Sequence, residues 1–174
     1  MNRQITYFPD LESLSLEAAG FISQEAQKRV AQKGLFTLAL SGGSTPSRLY
    51  EHLSLPPFVK ELPWPQMHFF WGDERCVPTD HQDSNYGLAF RCLLSKIALP
   101  EKNIHRIQVE KGSGPEVALD YEKEIRTFFQ GSAGDRSPSG STVEKPSVPP
   151  SCYAALCFAF LSWRRSPWLN RNRP

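Results

Sequence analysis

Several features that mark particular classes of protein are missing from this 174-residue sequence. No apolar run reaches the roughly 18–20 residues that span a bilayer. Residues 1–33 lack the basic start, apolar block and small-residue cleavage site of a signal peptide. Lys and Arg number 20 against 18 Asp and Glu, which gives a net charge of +2 and no large basic excess. We therefore expect a cytoplasmic protein with no membrane span and no nucleic-acid partner.

The cysteines also lack the spacing of a metal site or a disulfide framework. Cys76, Cys92, Cys152 and Cys157 form no C-x-x-C pair with histidines nearby. Zinc sites and the disulfides of small secreted domains depend on such patterns. The sequence predicts no metal site, and the thiols are interpreted as buried or incidental.

The composition changes near residue 131. Residues 1–130 hold 14 Lys and Arg against 16 Asp and Glu, whereas residues 131–174 hold 6 against 2. Gly, Ser and Pro dominate residues 131–151, and they bury too little apolar surface to offset the entropy of ordering. An apolar run of 12 residues follows at 152–163, compatible with a buried strand or helix, a peripheral membrane contact or a stretch without a partner. We expect a domain over residues 1–130 and a divergent, disordered tail over residues 131–174.

Short, nearly continuous apolar runs predict three strands, over residues 35–40, 67–71 and 104–109. Such runs are typical of strands that are covered on both faces. Each strand is followed by a loop and then by a helical pattern. Repeated β-then-α units predict an α/β fold with a Rossmann-like parallel sheet and helices on both faces.

Helices are predicted from apolar spacing near 3.6 residues and from capping residues. The first covers residues 13–33 and ends at Gly34. The second contains Pro46 in its first turn, with Ser44 or Thr45 as its cap. Two more are predicted over 86–97, capped by Asp83 or Ser84, and over 115–129.

A glycine loop directly follows the first predicted strand. It consists of Ser41, Gly42, Gly43, Ser44 and Thr45. Backbone N–H groups of such a turn, the positive end of the next helix and the hydroxyl groups together favour an anion, most simply a phosphate. The loop is neither a Walker A motif nor a G-x-G-x-x-G dinucleotide motif. The alternative is a tight strand-to-helix turn that binds nothing.

A second polar loop, G-D-E-R-C-V-P, follows the second predicted strand. Ligands of open α/β sheets bind beyond the carboxyl ends of the strands, so Asp73, Glu74 and Arg75 are expected to face the same cleft as the glycine loop. Arg75 could pair with a phosphate or an oxyanion, and Asp73 could orient water, a hydroxyl group or an imidazole. The alternative is a solvated surface turn or a structural ion pair.

The four histidines provide no clear catalytic base. His52, His68 and His105 fall on predicted helices or strands and are interpreted as structural. His81, in a polar loop, is the one histidine that could face the cleft, although a loop histidine is usually just solvated.

Two segments resemble a known family: LALSGGSTPSRLYEHLS at 38–54 and HFFWGDERCVPTDHQDSNYGLAFRCLLSKIALPEKNIHRI at 68–107. They are similar to the 6-phosphogluconolactonase family, within the group that includes glucosamine-6-phosphate isomerase/deaminase, and the resemblance covers about residues 5–130. It implies a Rossmann-like hydrolase without metal or cofactor that opens 6-phosphoglucono-δ-lactone in the cytosolic pentose phosphate pathway. The implied partner is a small phosphosugar.

The resemblance also assigns residues to the site. It implies that the segment from Ser41 to Thr45 holds the phosphosugar and that the segment from Asp73 to Arg75 lines the active site, with Arg75 on the ligand. Asp73 and Arg75 are the implied catalytic residues. The segment from Asp83 to Asn85 is implied to shape the neighbouring loop.

Residues 131–174 depart from the family pattern. Family members continue with a G-x-D-G-H segment that contains the catalytic histidine, and these residues contain no histidine. We therefore expect a truncated, catalytically impaired lactonase with an incomplete sheet. The alternatives are an amino-sugar-phosphate isomerase/deaminase and a non-catalytic phosphosugar-binding isoform. The sequence predicts no particular oligomeric state.

Overall fold

The first helix packs along one side of a small parallel sheet. The structure, a computed structural model, describes residues 5–134, with side chains described up to residue 130. Helix α1 covers Leu11–Lys33. It begins before the predicted start because Asp10 caps it, accepting a hydrogen bond from Ser13 N at 2.7 Å. It ends as predicted at Gly34, whose φ of 78° suits glycine and whose N–H donates to Val30 O.

Three parallel strands form the sheet in the order β1-β2-β3. They are β1 (Phe36–Leu40), β2 (Met67–Trp71) and β3 (Ile104–His105). Leu40 lies opposite Trp71, and Phe70 lies opposite His105. The predicted α/β fold with a parallel sheet is confirmed. The third strand is shorter than predicted, because only two residues pair and the chain then turns at Val109–Lys111.

The other helices are α2 (Ser44–Leu53), α3 (Phe58–Glu61), α4 (Asn85–Cys92) and α5 (Gly114–Gly134). Single 3-10 turns occupy 64–66, 94–96, 101–103 and 109–111. Helix α4 ends earlier than the predicted helix over 86–97, since the chain changes to a 3-10 turn at Leu94–Lys96. Helix α5 continues four residues into the segment that the sequence predicts to be disordered. The predictions for residues 135–174 lie outside the described residues.

Helices cover both faces of β2. Alternate residues Met67, Phe69 and Trp71 belong to the main core, together with Leu53 of α2 and Ala19 of α1. On the other face, Phe128 of α5 packs edge-on against Phe70 at 5.2 Å between ring centroids. Burial on both faces explains why the strand is a nearly continuous apolar run, interrupted by His68.

Within residues 5–134, no helix combines the length and the apolar character needed to cross a membrane.

Candidate functional site

The loops that follow β1 and β2 lie side by side at the carboxyl edge of the sheet. Leu40 and Trp71, the last residues of these strands, are paired, and Gly72 N donates to Leu40 O at 3.3 Å. The glycine loop (residues 41–45) and the DER loop (residues 72–75) therefore leave the sheet at the same level. The predicted juxtaposition of the two loops is confirmed.

The glycine loop leads directly into α2. Gly43, with φ of 109°, is the residue that precedes the helix, and no side chain caps its N-terminus. The prediction that Ser44 or Thr45 is the cap is wrong, because both already lie within the first turn of α2. Their backbone N–H groups have no partner within the helix.

The first turn of α2 differs from those of α1 and α4. Asp10 accepts a hydrogen bond from Ser13 N at the start of α1, and Ser84 accepts one from Gly87 N at the start of α4. Ser84 is thus the cap of α4, one of the two residues predicted. The N-terminus of α2 keeps its donors and its partial positive charge for an external anion.

Ser41 is held by a tyrosine of α2. The Tyr50 hydroxyl accepts a hydrogen bond from Ser41 N at 2.9 Å and donates one to Ser41 O at 2.8 Å. Burial raises the pKa of Tyr50 to about 12, so the hydroxyl remains protonated at neutral pH. The Ser41 N–H is therefore engaged, and an anion at this loop would instead meet the hydroxyl groups of the loop and the N–H groups at the start of α2.

The DER loop presents Asp73 and Arg75 to solvent. Their side chains are 64% and 63% exposed, and Arg75 Nε lies 4.0 Å from Asp73 Oδ2. An exposed pair at this distance is weak, so each group can exchange its partner for a ligand at little cost.

Glu74 does not face the cleft with its neighbours, contrary to the expectation from the sequence. Its carboxylate accepts hydrogen bonds from Asn85 N and Tyr86 N, each at 2.8 Å. A carboxylate at this position is stabilised by the positive end of α4. Glu74 therefore anchors the DER loop to α4, and only Asp73 and Arg75 of this loop are available to a ligand.

Asn85 connects the two loops, a role that the sequence analysis missed. Its Nδ2 donates to Asp73 O at 3.0 Å. Its Oδ1 lies so close to Gly42 that a Cβ built on that glycine would be 1.7 Å away. The resemblance implied only that the D-S-N segment shapes the neighbouring loop. That Gly42 is the partner of Asn85 depends on the register of β1 and β2, which the sequence does not display.

The histidines engage partners elsewhere. His68 Nδ1 lies 3.1 Å from His105 Nε2, and His105 Nδ1 lies 2.8 Å from Glu124 Oε1, so both strand histidines are structural as predicted. His52 Nε2 lies 3.1 Å from Glu12 Oε1. The exposed His81 accepts a hydrogen bond from Asp83 N at 3.2 Å. Burial, and secondarily His105 and Lys102, lower the pKa of His68.

Two cysteines fall within the described residues. Cys76 is exposed and Cys92 is half-buried, with its Sγ 3.4 Å from Ser47 Oγ. Across residues 5–130, no group of three or more His, Cys, Asp or Glu side chains could hold a metal ion.

A separate concave surface lies between α5 and the segment before it. Its lining includes Arg106, Lys111, Asp120 and Glu124. Because its lining holds three acidic residues, Glu116, Asp120 and Glu124, against the two basic ones, this surface offers an anion no net charge advantage. The glycine and DER loops remain the better candidate for an anionic ligand.

Comparison with known sequences identifies the family. Residues 9–143 match the family described as glucosamine-6-phosphate isomerases/6-phosphogluconolactonase, and the chain belongs to this family. It is 36% identical over 135 residues to a 6-phosphogluconolactonase from Nostoc sp., covering 78% of this chain and 55% of that protein. It is 42% identical over 113 residues to a 6-phosphogluconolactonase from Synechocystis sp., covering 65% and 45%. The chain thus spans about half the length of these relatives.

Solved structures show the same fold. A 6-phosphogluconolactonase from Trypanosoma cruzi matches with a TM-score of 0.64 at 28% identity, covering 82% of this chain and 55% of that one. A monomeric glucosamine-6-phosphate deaminase matches with a TM-score of 0.64 at 16% identity, a likeness of fold alone. The resemblance inferred from the two sequence segments is confirmed at the level of the family.

Proposed function

We propose that this chain binds a phosphosugar of the 6-phosphogluconate type at the glycine and DER loops, as part of a 6-phosphogluconolactonase-like site. The observation that carries the proposal is the uncapped N-terminus of α2, set at the same sheet edge as the exposed Arg75. The corresponding reaction is hydrolysis of 6-phosphoglucono-δ-lactone to 6-phosphogluconate, in the pentose phosphate pathway. The relatives named 6-phosphogluconolactonase support this choice of substrate.

The phosphate end of the ligand fits the glycine loop. The N–H groups and hydroxyls of Ser44 and Thr45 can donate to phosphate oxygens, and the α2 dipole adds a partial positive charge. Both residues are exposed, so the phosphate can approach without displacing protein side chains. Gly43 allows close approach of the backbone at the same place.

The lactone end fits the DER loop. Hydrolysis adds water to the ring carbonyl carbon, places negative charge on the carbonyl oxygen, and then breaks the bond from that carbon to the ring oxygen, which takes up a proton. Arg75 can stabilise the charged oxygen, and Asp73 can orient the water. These are the roles proposed for the two residues.

We expect turnover by the 174-residue chain to be no faster than the spontaneous reaction. Lactone opening at neutral pH benefits from a base near the water, typically an imidazole. None of the four histidines belongs to the two loops: His52 lies on α2 beside Glu12, His68 and His105 lie in the sheet, and His81 accepts a hydrogen bond from Asp83 N. No G-x-D-G-H segment occurs in residues 1–174. The proposed role of this chain is therefore to bind the phosphosugar without accelerating its hydrolysis.

Three assays on the purified chain test the proposal. We expect saturable binding of 6-phosphogluconate by calorimetry, lactone hydrolysis at the buffer rate at each pH, and no ammonia release from glucosamine 6-phosphate. Failure to bind 6-phosphogluconate would contradict the proposal. Ammonia release would favour the isomerase/deaminase chemistry, and lactone hydrolysis proportional to chain concentration would show that the catalytic base is present.

The compartment is a separate proposal. We propose the cytoplasm, the compartment that the resemblance to 6-phosphogluconolactonases implies for the pentose phosphate pathway. Some plant relatives are named chloroplastic, which makes an organelle the competing location. Imaging of the chain with a C-terminal fluorescent tag tests this, and an organellar signal would contradict it.

A further inference from the structure

One buried amide side chain lies between the two loops of the candidate site. Asn85 begins α4 and is only 5% exposed, although asparagine is usually found at protein surfaces. It donates through Nδ2 to the carbonyl of Asp73 in the DER loop. Its Oδ1 packs against the backbone of Gly42 in the glycine loop. A single side chain thus contacts the backbone of both loops.

The two glycines of the loop are required for different reasons. Gly43 has a φ of 109°, which side-chain-bearing residues rarely adopt. Gly42 has no positive φ, and its restriction is spatial, because a Cβ there would lie 1.7 Å from Asn85 Oδ1 and 2.6 Å from Asn85 Cγ. The absence of a side chain at Gly42 therefore serves the contact with Asn85.

The backbone of Asn85 is held in place by the Glu74 carboxylate. Glu74 Oε1 accepts from Asn85 N, and Glu74 Oε2 accepts from Tyr86 N. Hydrogen bonds to an ionised carboxylate at a helix N-terminus are among the stronger ones in proteins. Because Glu74 stands between Asp73 and Arg75 in the sequence, the same contacts fix the backbone that carries both ligand-facing side chains.

We propose that Asn85 is a positioning residue that sets the distance between the N-terminus of α2 and the Asp73–Arg75 pair. It thereby fits the site to an anion with two separated polar ends, a phosphate at the glycine loop and a carbonyl or carboxylate at the DER loop. The inference rests on the proposed function, in which one phosphosugar contacts both loops. Asn85 acts through Gly42 and Asp73 and offers almost no surface to the ligand.

The test compares a two-ended ligand with a one-ended one. In Asn85→Ala, the Nδ2 donor to Asp73 O and the contact with Gly42 are lost without adding a charge beside the glycine loop. We expect the affinity of the full chain for 6-phosphogluconate to fall by about tenfold or more, the effect of losing one well-formed hydrogen bond with its alignment. Inorganic phosphate contacts the glycine loop alone, so its affinity should change by less than about twofold.

The comparison separates positioning from a general loss of structure. A partly unfolded variant would lose affinity for both ligands equally, and that result would overturn the proposal. Unchanged affinity for both would overturn it as well. Gln82→Ala, which removes an exposed amide in the loop before α4, is the matched control and should bind both ligands as the parent chain does.

A double-mutant cycle tests the contact between Asn85 and Gly42. The Cβ of Gly42→Ala clashes with the Asn85 side chain, and Asn85→Ala removes that side chain, so the double variant should bind 6-phosphogluconate about as well as Asn85→Ala alone. Fold-losses that multiply in the double variant would show that the two residues act independently.

The ligand-free chain provides a test that does not depend on the proposed function. In nitrogen-15 NMR spectra, Asn85→Ala should shift the amide signals of both Gly43 and Arg75 while leaving those of Leu38 and Phe69 in place. If the parent chain fails to bind 6-phosphogluconate but both loop signals shift, the proposed function fails and the coupling of the loops by Asn85 stands. Signals that move in only one loop, or in neither, contradict the role of Asn85.

Discussion

At the scale of the residue, Arg75 is the side chain whose removal should be most informative. It is 63% exposed and is not part of the core, so its loss should leave the fold intact. A charge-assisted contact to a phosphate or carboxylate contributes about 1.5–3 kcal/mol. We predict that Arg75→Ala weakens 6-phosphogluconate binding by about 10- to 100-fold, measured by calorimetric titration, with no change in Tm.

A second arginine serves as the control for Arg75. Arg126 on α5 is similarly exposed and is paired with Glu122 at 2.6 Å, away from both loops. Arg126→Ala removes the same charge from the chain and should leave the affinity unchanged. Equal affinity in the parent chain and Arg75→Ala would remove Arg75 from the site, and equal losses in both variants would indicate a non-specific charge effect.

His68 gives a prediction for the pH dependence of stability. Its pKa in the folded chain lies below the ordinary 6.5 because of burial, with smaller effects from His105 and Lys102, and Glu124 is the nearby acid, reached through His105. The unfolded chain then binds more protons just below pH 6.5, so the free energy of unfolding should decrease as the pH falls from about 6.5. Urea denaturation at a series of pH values between 7.5 and 5.5 measures this decrease.

The contribution of His68 is the difference between two pH profiles. The variant His68→Gln cannot take up the proton, so its stability should decrease less over the same interval. Identical pH profiles for the variant and the parent chain would show that His68 does not carry the effect.

At the scale of the element, two tyrosines fasten helices to the ends of strands. Tyr50 of α2 binds the backbone of Ser41 after β1, and Tyr121 of α5 accepts from Trp71 N and donates to Trp71 O at the end of β2. Burial raises the pKa of each hydroxyl to about 12, which keeps it protonated. Each hydroxyl thus joins one helix to one strand through two hydrogen bonds.

The two attachments should differ in strength. Tyr50 is 2% exposed whereas Tyr121 is half-buried, so water can replace the lost hydroxyl more easily at Tyr121. We predict that Tyr50→Phe lowers the free energy of unfolding by about 1–3 kcal/mol and that Tyr121→Phe lowers it by less. Urea unfolding measures both, and the reverse order would contradict the role given to burial.

A strand could be predicted from the sequence where the strand's own residues show that it is buried. Strand β2 matches its predicted range because alternate residues pack against helices on opposite faces of the sheet. All of its residues are accordingly apolar or aromatic. Strand β3 was predicted over residues 104–109 and pairs over only two. The reason is a distant contact. The Tyr121 hydroxyl forms hydrogen bonds with the N–H and C=O of Trp71, the backbone groups with which a longer third strand would pair.

The candidate site was predictable in part for the same reason. The positions of Asp73 and Arg75 at the sheet edge follow from a strand followed by a polar loop, which the sequence displays. The inward turn of Glu74 and the burial of Asn85 depend on where α4 begins relative to β2. Contacts between segments far apart in the chain have no periodic signal in a single sequence.

At the scale of the whole molecule, the site comes from one short part of the chain. Every group placed in it, from Ser41 to Tyr86, lies within the matched range 9–143, on two adjacent strands and the helices that follow them. The proposed binding of the phosphosugar therefore draws on groups within the described part of the sequence. This distinguishes the proposed binding function from turnover, which depends on further groups.

The most direct measurement is a residue-resolved titration of the nitrogen-15-labelled chain with 6-phosphogluconate. The proposed function predicts saturable shifts of the amide signals of Gly43, Ser44 and Thr45 at the start of α2, together with Arg75 in the DER loop, all with one dissociation constant. The signals of residues 111–123, which border the concave surface beside α5, should not follow the same curve. The absence of saturable shifts, or saturation confined to residues 111–123, would contradict phosphosugar binding at the two loops.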